Sequence, residues 1–261
     1  MARIRIAVAI VLPEPVRSEV DVLRRAIGAD DLDRVPPHVT LVPPINLREC
    51  DLPAALLRLR AAARAVDECQ LSFGPVESFA PVTPTIHLAV NGDLPALQAL
   101  QREVFQTPLW RQAMYPFHPH VTLRVDAPDG LIASARNAMA GYRATAAIDR
   151  IVMLREERSI TRQRQWVPFA DALLKGVRVV GTGGLAVELC CSTILDPEAV
   201  TQLAAVIAPL ERGEIVVTAR REGEVVGILA GDALVVRPDA ERQGIANLLQ
   251  NELRWRSSAS G

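Results

Sequence analysis

The tetrapeptide His-Val-Thr-Leu occurs twice, at His38–Leu41 and at His120–Leu123, in a chain of 261 residues that holds only four histidines. Successive side chains of a strand point to opposite faces. Read as a strand, each copy presents His and Thr on one face and sends Val and Leu into a core. Two such strands facing each other across a cleft would bring two imidazoles and two hydroxyls to one point. That is a compact anion site with a built-in acid and base. A single copy would constrain little, because Val, Thr and Leu are ordinary strand residues.

The surrounding periodicity makes the repeat more than four letters. Arg3 to Leu12 alternates as a strand, and Pro15 to Ile27 has the apolar spacing of a helix through Val16, Val20, Leu23 and Ile27. The first motif strand follows, behind Pro36-Pro37 and ahead of an exit at Pro43-Pro44. Pro53 to Val66 reads as a helix and Cys69 to Phe79 as a strand. The order then begins again: a strand over Thr85 to Val90, a helix over Leu94 to Phe105, and the second motif strand behind His118-Pro119. A helix over about Gly130 to Tyr142 follows, then strands near Thr145 to Leu154 and Gln165 to Phe169. The motif histidines lie 82 residues apart, and the first strands of the two halves are offset by a similar amount. Matching offsets predict two related lobes.

Length sets a two-domain expectation, and 49% hydrophobic residues suffice for buried cores. A formal net charge of −1 excludes a broadly polycationic nucleic-acid binder but leaves room for a local basic cleft. Arg3 and Arg5 interrupt the N-terminal apolar stretch, so no secretory leader is expected, and no apolar run reaches the ~18–20 residues of a membrane span. Cys50, Cys69, Cys190 and Cys191 lack metal-ligand spacing and read as reduced thiols. The expected compartment is the cytoplasm, with no membrane partner.

An imidazole titrates near ~6.5, so of two copies one can be neutral and the other protonated near neutral pH. One then takes a proton from an attacking water or hydroxyl while the other gives one to the leaving oxygen. Thr40 and Thr122, on the same faces, can donate to the non-bridging oxygens of a phosphoryl group. A metal site is the rival use of paired histidines. Here neither motif carries a carboxylate or cysteine in register, and threonine is a poor zinc ligand. Metal-free phosphoester chemistry fits best.

The paired His-hydrophobic-Thr-hydrophobic motifs resemble those of the two-histidine (2H) phosphoesterase superfamily, in the branch of 2′-5′ RNA ligases and RNA 2′,3′-cyclic phosphodiesterases. Arg5 to Pro13, Pro36 to Leu41 with the prolines after it, Val76 to Phe79 leading to Ile86 to Leu88, and Phe117 to Leu123 are all similar to that family, over roughly residues 1 to 172. The resemblance implies an α+β fold of two pseudo-symmetric lobes whose antiparallel sheets line a central cleft. It implies opening of 2′,3′-cyclic phosphates of RNA ends or nucleotides, with no cofactor and no metal. It assigns His38 and His120 as catalytic, with Thr40 and Thr122 on the phosphate. Arg124 shares the motif face by period two and is a third phosphate candidate. Phe79, Tyr115 and Phe117 could stack a base, but with aromatics at 4% the core is the expected place for them. His87 is expected as a structural residue or cleft wall and His118 as a rim residue. The run Arg155, Arg158, Arg162, Arg164, broken by Glu156 and Glu157, reads as a solvated hairpin.

Residues 173–184, with Gly181-Thr182-Gly183-Gly184, are expected to be a linker. Beyond it come a strand at Leu185 to Cys190, a helix from Pro197 to Leu210, and a hairpin of Ile215 to Arg220 and Val225 to Ala230 turning at Glu222-Gly223. A strand at Ala233 to Val236 then leads to a helix running toward Trp255. Residues 185–261 thus form a small α/β segment. Its stretch Gln243-Gly244-Ile245-Ala246, opening a helix after a strand, resembles the acetyl-CoA pyrophosphate loop of GNAT acetyltransferases. Glu241 stands where that family has Arg or Gln, and about 80 residues remain of a larger module, so a partial GNAT-like domain kept for packing or dimerisation is expected. Two alternatives stay open: an acyl-CoA-dependent N-acetyltransferase, and a non-catalytic nucleotide or RNA binder.

Overall fold

The computed structural model describes residues 2–158, 163–182, 185–203 and 214–259. The first half of residues 1–173 runs β1 (Arg3–Val11), α1 (Val16–Ala26), β2 (His38–Arg48), α2 (Leu52–Ala65) and β3 (Cys69–Ser78). The second runs β4 (Ile86–Gly92), α3 (Leu94–Val104), β5 (His120–Arg124), α4 (Asp129–Ala138), β6 (Ala144–Ile148), β7 (Arg150–Arg158) and β8 (Arg164–Leu173). These eight strands form one antiparallel sheet in the order β6-β3-β4-β5-β2-β1-β7-β8. Outward from the β5–β2 seam, each side places a motif strand, then the first strand of that half, then the closing strand of the other half. β3 has crossed to pair with β4, and β7 to pair with β1. This exchange laces the two halves together.

The motif strands therefore do not face each other across a gap as the sequence suggests. They lie side by side, with Val39 paired to Val121 at the centre of the sheet. Both valines are fully buried, as are Leu41 and Leu123, so the period-two pattern holds. Their core continues through Ile6, Val8, Ile10, Phe73, Leu88, Leu97 and Leu100. β2 also differs from expectation in its length. It continues through Pro43-Pro44 to Arg48, because bulges against β1 between Ile6 and Val8 and between Val8 and Ala9 place two extra β2 residues there. A bulge removes the prolines, which have no N–H to give, from the ladder.

Residues expected as a linker instead carry β9 (Val177–Thr182), which pairs with β10 (Leu185–Ser192). β9 and β10 join β11 (Val216–Arg221), β12 (Glu224–Ala230) and β13 (Ala233–Val236) in a second antiparallel sheet. The β11–β12 hairpin turns at Glu222-Gly223, both at positive φ, as its sequence predicts. α5 (Pro197–Leu203) and α6 (Ile245–Ala259) flank this sheet, and the rest of the helix expected to Leu210 lies outside the described residues. Ile245 and Leu249 of α6 sit close over Gly227 of β12, where a Cβ would come within 3.0 Å of the Ile245 side chain. No helix among the described residues is long and apolar enough to cross a membrane.

Candidate active site

Antiparallel register extends the Val39–Val121 pair to put Thr122 opposite His38 and His120 opposite Thr40. All four side chains share one face of the sheet. The two histidines are diagonal neighbours, a relation that separates strand positions by about 7–8 Å.

Each imidazole is held by the same device. His38 Nδ1 lies 2.8 Å from the Pro36 carbonyl oxygen, and His120 Nδ1 lies 2.7 Å from that of His118. A carbonyl only accepts, so Nδ1 carries the hydrogen in both rings and Nε2 keeps its lone pair. The prolines explain the local backbone. Pro37 and Pro119 each precede the motif histidine, and a residue before proline is held extended, which turns the carbonyl two places back toward the ring. Neither threonine hydroxyl is taken by another group among the described residues.

Burial lowers the pKa of His38, with the charges of Arg24 and His120 acting in the same direction against the Pro36 hydrogen bond. His120 is lowered by burial too, with a smaller push from His118. The neutral form of each ring is thereby favoured. His87 pairs with Thr122 across β4 and β5 and so shares the motif face. It is 1% exposed, stacked on Phe79 at 3.9 Å between centroids, and 5.5 Å from the His120 ring. Burial and the two neighbouring imidazoles bring its pKa down to about 4, so it is a neutral, buried ring at ordinary pH. His118 is exposed and meets Phe79 edge-on, in keeping with a rim position.

A cavity of about 480 Å³ opens over Thr40, His118 and His120, with walls from Phe79, Phe105, Tyr115 and Phe117. The expectation that these aromatics are core residues is thus corrected for Phe79 and Tyr115, which line the cavity, Tyr115 at 55% exposed, while Phe117 packs against the core and lines the cavity as well. The segment 105–117 folds back toward the sheet because Leu109 is fully buried and anchors it. His38 lies next along the same face.

Arg124 also differs from expectation. It shares the face, but its Nη1 donates to the carbonyls of Ile27 and, at 2.8 Å, Gly28. It pins the end of α1 instead of standing free for phosphate. The residue that sequence reasoning missed is Arg24. Only 2% exposed, it pairs with Asp21 and Asp31 at 2.9 Å and donates to the carbonyls of Asp31 and Val35. It fixes the segment that delivers Pro36 and His38. Its helical position gave no sign of burial, since Asp31 and Val35, which cover it, come from the loop after α1.

A family model described as the 2′-5′ RNA ligase superfamily matches residues 12–159. The chain belongs to the 2′-5′ RNA ligase superfamily. The matched stretch holds both motif strands, Arg24 and the cavity walls. Relatives include the protein named "Putative phosphoesterase BH1439" of Halalkalibacterium halodurans, 36% identical over 89 residues, which are 34% of this chain and 52% of that one. "Putative phosphoesterase Bcer98_0945" of Bacillus cytotoxicus is also 36% identical over 89 residues, 34% of this chain and 51% of its own. The chain thus spans about half the length of these relatives. Similar solved structures include E. coli LigT complexed with 3′-AMP, at 18% identity and TM-score 0.49, over 66% of this chain and 99% of that one. TT0787 of Thermus thermophilus has 20% identity and TM-score 0.47, over 66% and 98%.

The loop Gln243-Gly244-Ile245-Ala246 lies far along the chain from this face. Gly244 adopts positive φ, 73°, ahead of α6. The Gln243 side chain accepts from Arg221 at 2.6 Å, and Ile245 is fully buried in the second core. Among the described residues no group of three or more His, Cys, Asp or Glu side chains is placed to hold a metal ion. All four cysteines are free.

Proposed function

We propose that this 2′-5′ RNA ligase family member is a phosphodiesterase that opens 2′,3′-cyclic phosphates of RNA ends or nucleotides by paired-histidine acid/base catalysis without a metal. One observation carries the reading: two imidazoles, tied at Nδ1 in the same way, share one face with a threonine opposite each. The neutral ring takes a proton at Nε2 from the attacking water. The water oxygen forms its bond to phosphorus as the bond to one ribose oxygen breaks. The protonated ring gives its proton to that oxygen. One water is consumed, and the two rings exchange protonation states. The hydroxyls of Thr40 and Thr122 donate to the non-bridging oxygens as charge builds there. The apolar mouth at Phe79, Tyr115 and Phe117 suits a nucleobase face.

The test is turnover of a panel of 2′,3′-cyclic nucleotides, with products read by phosphorus NMR. Hydrolysis that persists in excess EDTA is the expected result. Activity lost in EDTA and restored by a divalent cation would refute the metal-free mechanism.

A further inference from the structure

Charge sets a limit on what the paired histidines can hold. The polar side chains lining the cavity are Thr40, Thr83, Gln101, Tyr115, His118 and His120, and among the described residues no lysine, arginine or carboxylate lines it. The charged groups packed around this face are engaged elsewhere. Arg124 shares the face but gives its Nη1 hydrogens to the carbonyls of Ile27 and Gly28. Arg24, whose charge reaches His38, meets Asp21 and Asp31 at 2.9 Å, two carboxylates against one guanidinium. Arg5 of the neighbouring β1 lies 3.8 Å from Glu156, and on β3 Glu77 lies 3.8 Å from Nε2 of the buried His87. The ring of His118 is exposed at the rim, where solvent screens its charge.

The positive charge that meets a phosphate here therefore comes from His38 and His120. Each ring has spent Nδ1 on a backbone carbonyl, so each adds one charge only when a proton sits on Nε2. Burial disfavours that proton on both rings, and a charge on His120 further opposes one on His38. A phosphodiester carries one negative charge, and a phosphomonoester gains a second above pH ~6. An ion withdrawn from water into a cleft needs countercharge to be held there.

We infer that the site discriminates by charge: one protonated ring holds a singly charged diester, whereas a doubly charged monoester is held only when both rings are protonated. Hydrolysis ends with one ring protonated and a new phosphomonoester in place. Ionisation of that product to the dianion sets two negative charges against one positive, and the product departs. Release is thus coupled to the loss of a proton, and product inhibition fades as pH rises. The inference rests on the phosphodiesterase reading for what occupies the face.

The test uses the full chain with two probes, 2′-deoxyadenosine 3′-phosphate and its methyl ester, neither of which can close a 2′,3′ ring. Calorimetry at pH 7.5 in buffers of different ionisation enthalpy counts the protons taken up on binding. The monoester is expected to take up about one proton more than the methyl ester, and the ratio of its Kd to that of the methyl ester should rise about tenfold between pH 7 and pH 8. In His38→Gln and His120→Gln the extra proton should be lost while methyl ester binding remains, which also shows that the variants fold. Equal uptake by the two probes in the wild type, or an extra proton that persists in both variants, would overturn the inference. Hydrolysis of 2′,3′-cyclic AMP with equal uptake sinks the charge rule and spares the phosphodiesterase reading. The extra proton, lost in the variants but with no hydrolysis by the wild type, supports the charge rule and sinks that reading.

Discussion

At the scale of single residues, the site is governed by how each imidazole is buried and tied. Burial holds both His38 and His120 below the ordinary imidazole value of 6.5. The two limbs of a kcat/KM profile report the free enzyme's acid and base. The profile for 2′,3′-cyclic AMP is therefore expected to peak below pH 6.5, and a maximum above pH 7 would contradict the assignment. His87 makes a separate prediction. Its folded pKa of about 4 lies below its unfolded value, so the unfolded chain binds the extra proton in between. Its contribution to stability is complete above pH 6.5 and is lost as pH falls toward 4, on the order of 3 kcal/mol at most. Urea denaturation at pH 7 and pH 4.5 should show a smaller acid loss for His87→Phe than for the wild type. The four motif residues were legible because the chain states them twice. His87 and the aromatics were less so, since a lone histidine or phenylalanine in a strand reads alike whether it faces a core or a cavity.

At the scale of elements, the segment between α1 and β2 decides where His38 sits. Arg24 of α1 pairs with Asp21 one turn back and reaches out to Asp31 and two carbonyls of that segment, while Arg124 of β5 holds the carbonyls at its start. Truncating one member of a buried charge network strands the others, typically at about 3–5 kcal/mol. Arg24→Met should destabilise the protein by that order and lower turnover at least tenfold at a temperature where circular dichroism still shows the fold. Unchanged kcat in that variant would remove Arg24 from the positioning of His38. Strand and helix order was readable from periodicity, but partners were not. β3 and β7 cross to the opposite side of the sheet, β2 runs on past Pro43-Pro44, and the motif strands are neighbours, because pairing depends on contacts far apart in sequence.

At the scale of the whole molecule, the second sheet is bound to the first through charge. Arg60 of α2 meets Asp196 and Glu198 at 3.5 and 3.3 Å, and Arg220 of β11, 1% exposed, reaches Glu198 at 2.7 Å. Asp171 of β8 accepts from Thr193 N and Oγ1 at 2.9 and 2.7 Å beyond β10. Arg220→Met is expected to lower the free energy of unfolding by about 3–5 kcal/mol in urea titration, and a loss under 1 kcal/mol would show that the network is solvated. The motif strands of the first sheet announced themselves in the repeated tetrapeptide. The C-terminal sheet did not: a glycine-containing stretch that reads as linker became β9, because β10 offered it an open edge.

Turnover of 2′,3′-cyclic AMP by His38→Ala, His120→Ala and the double variant tests the pairing itself. Groups that act as a unit are strongly non-additive. Each single variant should lose on the order of 10²–10⁴ in kcat, and the double variant little more. Either single variant retaining wild-type turnover would contradict the account.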